Sequence, residues 1–360
     1  MESEKNPYKL LAQRLDALPN GFPPTDDGVE LRLLAKLFTP EEAALAAQLR
    51  LQLETPAQLA ERIGGDPAAL RHQLKEMARR GLVASGRLEG GLGYGLMPFV
   101  VGIYEMQNAR MDQELARLFE DYYRQAFGQA LAWQPPVHRV IPVGESVRVE
   151  LEIQPFESVT SILDSAQAWG VVDCICRKQK ALIGQPCKHP IDNCLIFSQV
   201  PGAFDDRQSV RALTRDEAQA TLRRAAEAGL VHSVSNTQEG IWYVCNCCTC
   251  SCGVLRGLAE LGIANVVARS AFVNRVDEAL CLACGACLDV CQFGALSLED
   301  IARVNETRCV GCGVCVLACP EGALGLVSRP AGEVMPPPRG EPDWRVARAA
   351  ARGLDLREIT

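Results

Sequence analysis

The chain has 360 residues, 48% of them hydrophobic, with 37 Lys and Arg against 44 Asp and Glu, a formal charge of −7 and 17 cysteines. Such a length supplies two or three domains with real cores, and the acidic balance argues against a general nucleic-acid binder. No apolar run approaches the roughly 18 residues that a membrane span needs; the longest, from Leu96 to Tyr104, is broken by Pro98 and Gly102. The polar opening Met1-Glu-Ser-Glu-Lys-Asn-Pro is unlike a secretory signal, so the expected location is cytoplasmic. In that reducing compartment the cysteines are expected to be metal ligands, not a disulfide scaffold.

In chain order, residues 1–95 carry helix-start signals. Thr39-Pro40-Glu41-Glu42 places a cap, a first-turn proline and the closing glutamate of a capping box. Thr55-Pro56 opens a second helix that stops at Gly64-Gly65, and Asp66-Pro67 opens a third, with Leu70, Leu74 and Met77 on one face and Gly81 at its end. The glycine-rich stretch from Leu82 to Gly95 suits a hairpin. Three helices followed by a hairpin resemble a winged helix-turn-helix domain. In a DNA reader the face bearing Arg71, His72, Lys75 and Arg79 would enter the major groove. The plainer reading is a solvated helix face. Residues 1–100 hold 12 Lys and Arg against 13 Asp and Glu, so there is no basic domain, and a structural or partner-docking role is preferred over DNA binding.

Residues 96–136 form a connector, an apolar patch followed by an amphipathic segment from Met106 to Trp133. Its stripe of Leu115, Leu118, Phe119, Tyr122, Tyr123 and Phe127 suits core packing or a dimerisation helix, which leaves a homodimer open.

Residues 137–273 form a Cys-rich α+β domain with nine cysteines in two groups: Cys174, Cys176, Cys187 and Cys194, then Cys245, Cys247, Cys248, Cys250 and Cys252. Between them Thr214-Arg-Asp-Glu217 starts an Ala-rich helix running to about Gly229, so the groups can converge in space. Each group can supply four ligands, with one thiol spare. One or two further iron–sulfur clusters are favoured, with a structural zinc site and redox-active thiols as alternatives. His189, two residues after Cys187, is a candidate ligand, although a lone loop histidine is more often surface polarity. Arg177, Lys178 and Lys180 would stabilise thiolates, or form a solvated basic loop.

Residues 274–328 carry the strongest pattern. Cys281-Leu-Ala-Cys284-Gly-Ala-Cys287-Leu-Asp-Val-Cys291 and Cys309-Val-Gly-Cys312-Gly-Val-Cys315-Val-Leu-Ala-Cys319-Pro320 repeat one C-x2-C-x2-C-x3-C register. A tight loop with three cysteines two residues apart wraps three corners of a cubane, and the fourth reaches across to the other cluster. Cys281, Cys284, Cys287 and Cys319 would hold one [4Fe-4S] cluster; Cys309, Cys312, Cys315 and Cys291 would hold the second. Zinc gains nothing from a third and fourth cysteine on each side, and disulfides this close are strained. The stretch strongly resembles a bacterial-type two-[4Fe-4S] ferredoxin, with Gln292 where the first run often has proline. The Cys-rich domain resembles a region found in ferredoxin-like proteins of anaerobic bacteria, a likeness that implies no substrate. Residues 329–360 hold a stiff Pro336-Pro337-Pro338 spacer and a short basic helix around Trp344 to Arg352.

The fold class expected is therefore α+β multidomain, with winged-helix-like, Cys-rich and ferredoxin-like parts. There is no phosphate loop, no dinucleotide fingerprint and no nucleophile–base constellation, so no catalytic residue is named. The resemblance implies a cytoplasmic carrier of single electrons between redox partner proteins. A redox-sensing DNA-binding regulator and a reductase with a catalytic middle cluster are the competing readings.

Overall fold

The structure, a computed structural model, describes residues 6–147, 153–207 and 209–358; the first five residues of the polar opening segment lie outside these. Two compact units emerge: Met1–Gln134 with Leu182–Gly184 and Arg345–Thr360, and Pro135–Ala181 with Gln185–Trp344.

The first unit is helical. α1 (Pro7–Asp16), α2 (Val29–Leu37) and α3 (Pro40–Ala46) precede α4 (Pro56–Ile63) and α5 (Pro67–Arg79). Capping boxes form at Thr39 with Glu42 and at Thr55 with Gln58, and Asp66 accepts from the Ala69 amide, each followed by a proline in the first turn. α5 buries Leu74 and Met77 and leaves Arg71, His72, Lys75 and Arg79 exposed. β1 (Ala84–Leu88) and β2 (Gly91–Gly95) then pair as an antiparallel hairpin with its tip at Glu89 and Gly90. α6 (Gln113–Tyr122) continues through a wider turn into α7 (Gly128–Ala130). Leu115, Phe119, Tyr122, Tyr123 and Phe127 are buried, and Phe119 stacks on Tyr104 at 3.8 Å between ring centroids, so the aromatic stripe packs a core.

The second unit is built on a seven-stranded sheet. β3 (His138–Val140), β4 (Ala168–Asp173), β5 (Asp192–Ser198), β6 (Arg211–Leu213), β7 (Val231–Ser235), β8 (Tyr243–Cys247) and β9 (Val267–Ala268) lie in the order β6-β4-β5-β8-β7-β3-β9. All pairings are antiparallel except β3 with β9. α8 (Val159–Asp164) and α10 (Arg215–Glu227) pack with Val171, Leu195, Phe197, Val234 and Val244 in one apolar core. α10 starts on the Thr214–Glu217 capping box that the sequence signals. α9 (Ile175–Leu182) follows β4, and α11 (Arg256–Leu261) follows the last cysteine of the Cys-rich segment.

In the same unit, β10 (Phe272–Val276) pairs antiparallel with the distant β13 (Leu324–Ser328), enclosing α12 (Ala286–Val290), the hairpin β11 (Leu296–Leu298) and β12 (Ala302–Val304), and α13 (Val314–Leu317). Gly311 and Gly313 have φ of 71° and 76°, and a Cβ at either would collide, with the Phe272 carbonyl and with Ser146 respectively. The proline spacer is held in place: Gln238 donates to the Pro338 carbonyl from its amide at 3.0 Å and to the Pro337 carbonyl from Nε2 at 2.7 Å. α14 (Glu341–Arg352) closes the chain, with Arg348 Nε donating to the Pro19 carbonyl at 2.9 Å and Arg352 lying 3.8 Å over the Trp133 ring. No helix among the described residues is long and apolar enough to cross a membrane.

Leu195, fully buried in the sheet core, provides a direct check on this architecture. Leu195→Ala should cost about 2–5 kcal/mol, read as a lower denaturant midpoint with an unchanged slope in anaerobic unfolding.

Candidate metal centres

The two ferredoxin-type runs place their sulfurs in two sets. Cys281, Cys284, Cys287 and Cys319 line one cavity together with Leu282, Leu298 and Leu324. Around the second run, Cys291, Cys309 and Cys312 all lie close enough to Cys315 to raise its pKa, burial being the larger cause. Burial likewise pushes the Cys312 thiol up to about 12. Backbone amides point at sulfur: Ala302 N to Cys281 at 3.4 Å, Ala323 N to Cys319 at 3.3 Å and Ala295 N to Cys291 at 3.3 Å. Asn274 Nδ2 donates to Cys315 Sγ at 3.2 Å. Soft donors in fours, with N–H groups aimed at them, fit cubane iron–sulfur clusters.

Strand alternation builds the centre of the Cys-rich domain. Val244 on β8 and Leu195 and Phe197 on β5 enter the apolar core, so Cys245, Cys247 and Cys194 face the other side of the sheet. The register pairs Leu195 with Val244, which sets Cys194 opposite Cys245. Cys174 follows the end of β4, and Cys176 lies in the first turn of α9. Neighbouring thiols lie close enough to shift one another's protonation: Cys174 with Cys176 and Cys194, Cys176 with Cys252, Cys252 with Cys247, Cys247 with Cys245, and Cys245 with Cys194. Six sulfurs thereby close a ring. The neighbouring thiols of Cys176 and Cys194 hold Cys174 well below the usual thiol range, and those of Cys245 and Cys252 bring Cys247 to about 6. The two thiols most ready to ionise stand across the ring from one another.

The remaining three cysteines form a second group. Cys187 Sγ lies 2.9 Å from His189 Nδ1, 3.1 Å from Cys250 Sγ and 3.7 Å from Cys248 Sγ, and Cys248 and Cys250 are 3.2 Å apart. Burial works against charge on Cys187, but the His189 amide and the Cys250 thiol outweigh it and hold Cys187 at about 6.

The nine thiols thus divide six and three, whereas sequence grouping pairs Cys187 with Cys174, Cys176 and Cys194. The cause is topological: β5 and β8 are neighbours, so the loop before β5 meets the loop after β8. His189 joins the thiols instead of facing solvent alone. Arg177 is not in a solvated loop either. It is buried on α9, with Nη1 donating to Asn193 Oδ1 at 3.1 Å and Nη2 to the Asn246 carbonyl at 2.9 Å and to Cys248 Sγ at 3.4 Å. Its charge also lowers the Cys174 pKa, so one guanidinium serves both groups.

Gln292 has a role that its place beside Cys291 does not announce. Its Oε1 accepts from Thr249 N at 3.1 Å and Thr249 Oγ1 at 2.9 Å, while Nε2 donates to the Gly229 carbonyl at 3.0 Å. A proline in that position would supply none of these bonds.

Removing the Arg177 charge should leave buried thiolates uncompensated. Arg177→Met is expected to cost about 3–5 kcal/mol in anaerobic denaturation, and Arg177→Lys should not restore it, because a point charge cannot span three acceptors.

Residues 275–297 and 302–325 match the sequence model of the family described as the 4Fe-4S binding domain. The match supports a ferredoxin-like iron–sulfur domain at these residues and indicates [4Fe-4S] binding there. No curated protein and no solved structure matches the chain.

Proposed function

We propose that this protein is a multi-centre iron–sulfur electron carrier that moves single electrons between redox partner proteins in the cytoplasm. The observation that carries the reading is the doubled C-x2-C-x2-C-x3-C register within the matched domain. In this reading Cys281, Cys284, Cys287 and Cys319 hold one [4Fe-4S] cluster, and Cys309, Cys312, Cys315 and Cys291 hold the other. Bound clusters supply storage for one electron at a time. The chain supplies thiolate ligands, apolar walls and N–H donors that favour the more negative, reduced state. The ring of Cys174, Cys176, Cys194, Cys245, Cys247 and Cys252, three of them buried and three half-buried, is the natural place for a further iron–sulfur centre, since six thiols exceed what one zinc ion uses.

Anaerobically purified protein should contain acid-labile sulfide and about eight irons per chain if only the ferredoxin pair is filled, or about twelve if the ring holds a further cubane. Absence of labile sulfide would refute the reading. Asn274→Leu, which deletes the donor to Cys315 Sγ, should shift one cluster's potential negative by about 20–60 mV, the equivalent of one hydrogen bond. Redox titration followed by EPR would measure this.

A second reading, a redox-sensing DNA-binding regulator, draws on the exposure of Arg71, His72, Lys75 and Arg79 along α5 next to a hairpin. It requires redox-dependent binding to a specific duplex whose affinity falls with salt and with Arg71→Ala and Lys75→Ala. Only weak binding, equal in both redox states, would dismiss it.

A further inference from the structure

The geometry points to a single zinc ion held by Cys187, His189, Cys248 and Cys250, distinct from every iron–sulfur centre in the chain. Zinc bound at about 2.3 Å to sulfur and about 2.0 Å to nitrogen in a tetrahedron sets its sulfurs about 3.8 Å apart and sulfur about 3.5 Å from nitrogen. The four ligand atoms here all lie within 4.8 Å of one another. The sulfur–sulfur distances of 3.1, 3.2 and 3.7 Å fall somewhat short of the tetrahedral value, and the sulfur–nitrogen distances of 2.9 and 3.8 Å bracket theirs, so a small outward shift of the sulfurs seats the ion. One ion fits the space between these atoms. A cubane does not, because its four irons and four sulfides separate the corner thiolates beyond mutual contact.

The same chain supplies the comparison. Among the described residues, thiol–thiol contacts with hydrogen-bond geometry are confined to Cys187, Cys248 and Cys250, and neither the eight ferredoxin-type cysteines nor the six of the ring make one.

Ligand order and chemistry agree with the assignment. Cys187-Lys188-His189 and Cys248-Thr249-Cys250 are two chelating pairs brought together from distant segments, each with one residue between its ligands where structural zinc sites commonly have two or more. Three thiolates and one imidazole bind zinc in preference to ferrous iron. With four protein ligands the ion has no open position, so its role is structural. Three thiolates leave the site one charge negative, and Arg177 Nη2 at 3.4 Å from Cys248 Sγ compensates it. The ion would pin the loop before β5 to the loop after β8. Cys247 directly precedes Cys248 and Cys252 follows Cys250 by two residues, so the site adjoins the six-thiol ring without sharing a ligand with it.

The test is zinc, iron and labile-sulfide content of the full chain, purified anaerobically from cells supplied with both metals, with zinc-edge X-ray absorption. The expected result is about one zinc per chain with three sulfur ligands and one nitrogen. Cys250→Ser and His189→Ala should bring zinc below about a tenth of an equivalent with iron and sulfide unchanged, while His189→Cys should retain zinc with a four-sulfur shell. Wild-type protein without zinc would overturn the proposal, as would loss of about four irons and four sulfides in Cys250→Ser, which would mark a cluster. If the variants do not fold, the wild-type absorption spectrum decides: an S3N shell upholds the site and any other shell refutes it. Failure of the electron-carrier reading would appear separately, in the iron and sulfide of the ferredoxin domain.

Discussion

The two-residue alternation of β8 is the constraint on which the Cys-rich domain depends. Val244 enters the apolar core while Asn246, on the same face, meets His232, whose Nδ1 lies 2.5 Å from its Oδ1. Cys245 and Cys247 take the opposite face. A slip of one residue would drive two thiols into the hydrocarbon core and turn Val244 toward the sulfurs. The register is held by β5 on one side and β7 on the other, so both neighbours enforce the sulfur positions. Ordinary apolar packing against α8 and α10 thus fixes where the soft ligands stand.

Charge is the second organising term. Thiolates gathered away from water repel one another, and their protons are expelled when metal binds. Arg177 answers this locally with one planar group that reaches Asn193, the Asn246 carbonyl and Cys248. The asparagines keep that fork in place: Asn246 Nδ2 also donates to the Asn193 carbonyl, and Asn193 Nδ2 donates to the Pro190 carbonyl at 2.9 Å. Among the described residues only Arg177 Nε of this buried scaffold lacks a partner, and the bonds that the other members share hold the fork in place.

What the sequence disclosed follows the range of the interactions. The ferredoxin-type repeat was legible because the ligand spacing is local, and the helix starts at Thr39, Thr55 and Thr214 because a cap and its partner sit three residues apart. The aromatic stripe after Met111 was legible as a core face by its helical period. The six-and-three division of thiols was not, since Cys187 and Cys248 meet across 61 positions through strand pairing. Cysteine and asparagine within Tyr243–Cys247 also hid the strand, because neither announces itself as core or surface. Arg177 reads as a solvated charge until the asparagines around it are placed. The fixed course of the Pro336–Pro338 segment likewise depends on Gln238, about a hundred positions away.

Gln292 carries a consequence for how charge is accommodated. Its side-chain amide spans from the residue beside Cys291 to Thr249, which lies between Cys248 and Cys250, and to the Gly229 carbonyl. Three hydrogen bonds from one planar group leave the two sulfur neighbourhoods little freedom to shift independently. A frame that stays still when one unit of charge arrives or departs has a small reorganisation energy. The glutamine in place of proline thus exchanges a local turn restraint for stiffness shared between two sulfur-rich loops.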